Sequence, residues 1–311
     1  MKIMFMGTPE FSISTMEALF EEGYDIDCVV TQPDKPKNRG HKMMHPPVYE
    51  FAEKHGIKVY QPATLKKDDF EEILNSQNPD IIIVTAYGKI LPEYVLKFPE
   101  YGCINVHASL LPKYRGAAPI QRSIIDGETK TGITIMYMEK GLDTGDMILK
   151  EECDITSGDT YETLHDKLAL LGKRAVKEAM KQIEKGKVSA EKQDDEKSSY
   201  AHTIDKTTAL IDWNKTSNDV YNLIRGLYPV PKAFTHYNSK IMKITKAEVV
   251  NITSDAKCGQ VVKTDKDAFY VACKDGTVLK VTKIQPEGKK EMSVRDYFAG
   301  NKILQGDVLG R

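Results

Sequence analysis

Asp80-Ile-Ile-Ile-Val-Thr-Ala86 is the stretch on which the fold turns. It is apolar on both faces, as a strand is when helices cover both sides of a parallel sheet; an antiparallel strand with one wet face would alternate. Upstream, Lys2–Gly7 and Ile26–Val30 have the same buried character, and Ile57–Tyr60 is a further short strand. Between these runs the apolar spacing becomes helical, with Phe11, Met16, Leu19 and Phe20 on one helix face and further helices over Val48–His55 and Asp68–Ser76. Strands alternating with helices predict an α/β fold, a mostly parallel Rossmann-like sheet with helices on both faces. Thr8 is a candidate cap for the first helix, with Pro9 at its first turn. A single glycine, Gly7, ends the first strand, so the dinucleotide fingerprint with three spaced glycines is absent.

Downstream of the helix Glu93–Lys97 comes Gly102-Cys-Ile-Asn-Val-His-Ala-Ser-Leu-Leu-Pro-Lys-Tyr-Arg-Gly116. It opens as a buried strand, Cys103–Val106, and ends in a loop punctuated by Pro112 and Gly116. In an open α/β sheet the carboxyl ends of the strands house the chemistry. Asn105 and His107 are two apart, so in extended backbone they point to one side. A second polar cluster, Gly141-Leu-Asp-Thr-Gly-Asp146, falls between the strand candidates Gly132–Met138 and Met147–Lys150. A carboxylate held in that glycine-flanked turn can reach a neighbouring strand end and fix a histidine tautomer. Taken alone, a histidine after a strand is as readily a structural residue, and that reading stays open here.

Composition narrows the class. The 311 residues are 41% hydrophobic and 29% charged, the balance of an ordinary globular protein long enough for two domains. Five widely separated cysteines, without a C-x-x-C pair or zinc spacing, read as reduced core residues of a cytoplasmic protein. The chain enters its first strand at Lys2, so no leader is expected, and no apolar run has the length of a membrane span. The net charge of -1 hides an asymmetry: residues 206–311 carry 18 basic and 11 acidic side chains, and the first 205 carry 26 and 34. A basic second half suits a polyanion, although a solvated basic face gives the same count.

The connection Thr31–Pro47 is long for an α/β loop and rich in proline, lysine and arginine, which suits either a functional loop or a solubilising excursion. After the loop at 109–116, Ala117–Ile125 reads as a helix. A long helix follows with Leu164, Leu168, Leu171, Ala175 and Ile183 on one face, and Ser157 and Asp159 are its candidate caps. Glu184–Ser199 is charged, has almost nothing apolar and reads as a linker. Beyond it, Thr207–Trp213 is a strand candidate and Asp219–Leu227 a helix. Short strands then alternate with turns over Phe234–Tyr237, Ile241–Val250, Gly259–Val262, Ala268–Cys273 and Thr277–Ile284, the pattern of a small OB-like β-barrel. The expected domains are 1–188, a linker 189–205, and 206–311.

Five stretches carry a resemblance: Met-Gly-Thr-Pro-Glu-Phe at 6–11, Gln-Pro-Asp-Lys-Pro at 32–36, Asn105 with His107, Ser-Leu-Leu-Pro-Lys-Tyr-Arg-Gly-Ala-Ala-Pro-Ile-Gln at 109–121, and Gly-Leu-Asp-Thr-Gly-Asp at 141–146. With these the chain resembles, over essentially its whole length, the methionyl-tRNA formyltransferase family of the formyl-tetrahydrofolate-dependent transferases. The resemblance implies transfer of a formyl group from 10-formyltetrahydrofolate to the α-amine of initiator methionyl-tRNA. It implies a catalytic trio at Asn105, His107 and Asp143. It places folate contacts at Ser109, Leu110, Leu111 and Pro112, with Tyr87, Gly88, Ile90 and Leu91 of the neighbouring loop. It puts a tRNA acceptor-stem loop at Asp34–Pro47, where Lys37, Arg39 and Lys42 supply the charge. No metal, no membrane and a monomer are expected.

The chemistry fits those side chains on its own terms. Amine attack on a formamide carbon creates an oxyanion, which the Asn105 amide and the His107 ring can hold. The amine loses a proton and the folate nitrogen gains one, a relay suited to an imidazole. Cys103, a strand residue, is read as core. Three other readings remain: a formyltransferase for a small amine such as an amino sugar, a hydrolase that releases formate, and an RNA-binding protein without activity.

Overall fold

The computed structural model describes residues 1–37 and 42–310. Two compact units emerge, one of residues 1–119, 130–154 and 165–201, the other of 120–129, 155–164 and 202–311.

The strands of the first unit are β1 (Ile3–Gly7), β2 (Ile26–Val30), β3 (Lys35–Lys37), β4 (Lys42–Met44), β5 (Lys58–Tyr60), β6 (Ile81–Thr85), β7 (Cys103–His107), β8 (Lys130–Tyr137) and β9 (Met147–Asp154). Seven of them form one sheet in the order β5-β2-β1-β6-β7-β8-β9, while β3 and β4 form a separate hairpin. Pairing is parallel from β5 to β7 and antiparallel at β8 and β9, so the sheet is mostly parallel as predicted. Every residue of β1 and β6 is buried, which requires cover on both faces. Each fully buried isoleucine or valine there contributes about 1.5–3 kcal/mol relative to an exposed one.

The chain runs outward from β1 through β2 to β5, then returns to lay β6 on the other side of β1. That reversal is a topological switch point, and the cleft beyond the carboxyl ends of β1 and β6 is where such sheets take ligands. Thr8 stands at this edge. It does not cap the helix Phe11–Glu21, whose first turn has no side-chain cap; its hydroxyl donates instead to the Tyr87 carbonyl at 3.1 Å. The strand end therefore captures Thr8 for the loop after β6.

In the second unit, β10 (Phe234–Tyr237), β11 (Lys240–Thr253), β12 (Val261–Thr264), β13 (Phe269–Ala272), β14 (Thr277–Pro286) and β15 (Met292–Ser293) make an antiparallel sheet in the order β10-β11-β14-β13-β12, with β15 on β14. This is the separate β domain expected of the basic half. Trp213, Ile244, Phe269, Val271, Leu279 and Val281 are among the side chains of its core. The strand expected at Thr207–Trp213 opens instead as a short helix, Lys206–Ala209, and only beyond it does Leu210 form a parallel bridge to Phe234. Asp205 explains the difference: its carboxylate accepts from the Thr208 amide at 2.7 Å and hydroxyl at 2.8 Å, a local cap that outweighs the β preference of two threonines. The helix Ser217–Gly226 starts with a reciprocal capping box between Thr216 and Asp219.

Residues read as linker from their composition have defined partners in the first unit. Met147 and Glu191 exchange backbone hydrogen bonds of 2.8 Å, and Arg115 pairs with the segment through its amide to Ser199 and its carbonyl from Ala201.

Candidate active site

β7 presents Asn105 and His107 from alternate positions of one strand, so the two side chains leave the same face near its carboxyl end. Register sets Asn105 beside Val84 of β6 and opposite Met136 of β8, and sets His107 opposite Thr134. His107 is only 5% exposed. Its Nε2 lies 2.9 Å from the Tyr114 carbonyl oxygen. A carbonyl only accepts, so this bond fixes the ring proton at Nε2. Nδ1 faces Asp143 Oδ2 at 3.7 Å, within ion-pair reach and beyond a hydrogen bond. In the neutral ring Nδ1 thus keeps its lone pair, and a proton added there meets a carboxylate.

Asp143 is held in a left-handed conformation with φ 53°, which aspartate tolerates better than most residues. Its Oδ2 accepts the Gly116 amide at 2.7 Å. Gly116 has φ 118°, and a Cβ there would come within 3.0 Å of the Ala201 carbonyl oxygen, so the amide reaches Asp143 only because the residue is glycine. Behind Asp143, the Gln193 amide donates to the carbonyls of Asp143 and Gly145, both at 2.8 Å. Gln193 Oε1 accepts from Arg115 Nε at 3.0 Å and Nη2 at 2.8 Å. The buried Arg115 completes its fork on Asp195 at 2.7 Å.

The loop after β7 is built from its own hydrogen bonds. Ser109 Oγ donates to the Lys113 carbonyl at 2.7 Å, and the Thr134 hydroxyl donates to Ser109 O at 2.7 Å while accepting the Leu111 amide at 3.1 Å. Leu111 packs on Met136 and Met147. The Tyr114 amide donates to Ser199 Oγ at 2.9 Å. Across the edge, the Tyr87 carbonyl accepts from Thr8 and from Gln32 Nε2, each at 3.1 Å. Tyr87 is buried and its hydroxyl has no partner among the described residues, while burial pushes it up to about 12. Gly88 has φ 83°, Leu91 is core, and Ile90 is 83% exposed.

The three residues expected to be catalytic are therefore brought together. The expected folate residues fall on the two loops at the same carboxyl edge, although Leu91 and Leu111 face the core and the Ser109 hydroxyl is engaged within its loop. Lys37 and Lys42 pair across the β3–β4 hairpin, off the main sheet. Arg39 lies outside the described residues. At the base of that hairpin His45 Nδ1 meets Asp34 at 2.9 Å, and Gln61 donates to the same carboxylate at 2.7 Å. Gln193, Ser199, Arg115 and Thr134 were not singled out by sequence reasoning. Gln193 and Ser199 sit in a charged, apolar-poor stretch that composition reads as linker, and no spacing marks their partners far upstream.

A doubly wound sheet that brings a buried histidine within ion-pair reach of a carboxylate, with an asparagine two residues before it on the same strand, defines a candidate site of the α/β class. Residues 1–180 match the family described as Formyl transferase and residues 203–302 the one described as Formyl transferase, C-terminal domain. A protein named methionyl-tRNA formyltransferase from Caldanaerobacter subterraneus subsp. tengcongensis is 51% identical over 310 residues, covering 99% of this chain and 100% of its own. Another of that name, from Ruminiclostridium cellulolyticum, is 50% identical over 313 residues and covers 100% of both chains. An N-formyltransferase from Helicobacter canadensis, solved with folinic acid and dTDP-3-aminofucose, shares the fold with a TM-score of 0.67 and 20% identity, over 92% of this chain and 99% of that one. This chain belongs to the methionyl-tRNA formyltransferase family.

Proposed function

We propose that this protein transfers the formyl group of 10-formyltetrahydrofolate to the α-amino group of methionine carried by initiator tRNA. The observation that carries the reading is the buried His107–Asp143 couple with Asn105 beside it at the carboxyl edge of the sheet. The tRNA-borne amine is taken from the relatives that match the whole chain.

Asn105 is half-buried. Its side-chain amide donates to the formyl oxygen as negative charge develops there. His107 accepts the amine proton at Nδ1, because Nε2 is already committed to the Tyr114 carbonyl. The imidazolium so formed faces Asp143, which is aimed by the Gly116 amide. The same ring then returns a proton to the leaving nitrogen.

Folate is supplied as a co-substrate along the loops Ser109–Pro112 and Tyr87–Leu91, with Ser109, Leu110, Leu111 and Pro112 on one side and Tyr87, Gly88, Ile90 and Leu91 on the other. Lys37, Arg39 and Lys42 of the 34–47 loop meet the acceptor stem. Residues 1–188 form the catalytic domain, 189–205 the link, and 206–311 the tRNA-binding domain of a cytoplasmic monomer.

The test is formyl transfer from 10-formyltetrahydrofolate to charged initiator tRNA, against charged elongator methionine tRNA and free methionine at one ionic strength. Rapid transfer to the initiator alone is expected. Folate turnover with no tRNA acceptor would move the substrate to a small amine or to water.

A further inference from the structure

Both partners of the His107 ring are held from one segment that lies far away in sequence. Tyr114, whose carbonyl takes the Nε2 proton, gives its amide to Ser199 Oγ. Asp143, which faces Nδ1, has its own carbonyl and that of Gly145 gripped by the Gln193 amide. The segment is fastened at its two ends, by the paired Met147–Glu191 bonds and by the Ser199 and Ala201 bonds to Arg115. Gln193 is 5% exposed, and its other amide atom is fixed by the buried Arg115. A polar side chain buried with every bond satisfied is an expensive arrangement for a mere tether, since any lost partner leaves a desolvated group unpaired.

We infer that residues 191–201 are a positioning strap for the reaction, in which Gln193 and Ser199 set the distance and angle between His107 and its two partners. The inference rests on the formyl-transfer reading of the site. Neither residue touches substrate in this scheme; each acts through the backbone that presents Asp143 or Tyr114. Without the Gln193 bonds, the left-handed Asp143 loses the contacts that hold its peptide carbonyl, and the 3.7 Å approach to Nδ1 loosens. Asp143 is the carboxylate facing that nitrogen, with the Arg115–Asp195 pair behind Gln193, so its retreat takes the carboxylate away from the ring.

The experiment compares Gln193→Leu, Gln193→Glu and Ser199→Ala with the unaltered protein, reading kcat, both KM values, the pH profile of kcat and the melting temperature. Gln193→Leu keeps the side-chain bulk without its hydrogen bonds. Gln193→Glu keeps the acceptor for Arg115 and removes the donor to Asp143 and Gly145. Both are expected to lower kcat about 10- to 100-fold, as for other groups that orient a reacting side chain. Both KM values should stay near their original level, while kcat and its pH profile change. Ser199→Ala is expected to give a smaller loss of the same kind. Lys197→Ala, on the exposed side of the same segment, should leave turnover unchanged. Unaltered kcat and pH profile in the Gln193 and Ser199 variants, or a lower melting temperature as their only change, would overturn the strap. His107→Ala separates the two readings: if that variant turns over normally, formyl transfer through this ring is wrong whatever Gln193 does.

Discussion

His107 is the residue whose surroundings say most about the reaction, because one ring nitrogen is closed by a carbonyl and the other is left facing a carboxylate without a direct bond. His107→Ala should lower turnover by about 10²- to 10⁴-fold, the range for loss of a general base, with tRNA affinity almost unchanged. Steady-state kinetics and a filter-binding assay on the same preparation check it; near-normal turnover would remove the histidine from the chemistry. Asn105→Ala should cost about 10²- to 10³-fold in kcat, as when an oxyanion donor is removed. Cys103, two residues before Asn105, is a core residue: it is 1% exposed, and burial pushes its thiol up to about 12. Alkylation of the native protein near neutral pH should therefore spare Cys103 until the chain is unfolded, which peptide mapping would reveal.

At the scale of elements, the hairpin of β3 and β4 is a small sheet of its own whose base is closed by His45, Asp34 and Gln61. Removing the charges of Lys37, Arg39 and Lys42 together should reduce kcat/KM for charged initiator tRNA and leave the folate KM unchanged; equal kinetics with tRNA would dismiss the hairpin as an RNA contact. A second prediction concerns the helices Phe11–Glu21 and Tyr161–Glu184. Lys173, Lys177 and Lys181 reach Glu17, Glu21 and Glu22 from successive turns at 2.7–3.5 Å. The lysine hydrogen bonds hold the Glu21 and Glu22 carboxyls below their ordinary values, and the Glu21 hydrogen bonds raise Lys173 and Lys177. The carboxylates therefore contribute above their unfolded pKa and lose that contribution as pH falls through the depressed values. The lysines contribute below their unfolded pKa and lose theirs as pH rises through the raised ones. Urea unfolding should show a plateau between those limits, with a smaller fall at the acid end when the three lysines are replaced by glutamine.

For the molecule as a whole, charge is divided along the chain, acidic before residue 206 and basic after it. If the basic half holds RNA through phosphates, kcat/KM for charged tRNA should fall linearly on a log–log plot against salt, while transfer to a small amine acceptor should hardly change. A tRNA rate indifferent to salt would strip the basic half of that role. Phosphate contacts of that kind position a nucleic acid without reading its sequence.

The sequence by itself determined that strands such as Ile81–Thr85 are covered on both faces, and their alternation with helices pointed to a mostly parallel sheet; it also marked Asn105, His107 and Asp143 by their places at strand ends and turns. Only the tertiary structure decided how those three are tuned. The ring proton sits on Nε2 because Tyr114 turns its carbonyl inward, and Asp143 is aimed by Gly116 and backed by Gln193, fifty residues on. Thr207 and Thr208 read as strand until Asp205 capped them, and Thr8 read as a cap until Tyr87 accepted its hydroxyl. Local pattern reports which surface must be buried, since burial follows period and composition. Hydrogen bonds between distant segments depend on which backbones the fold lays side by side, and no window of sequence contains both partners.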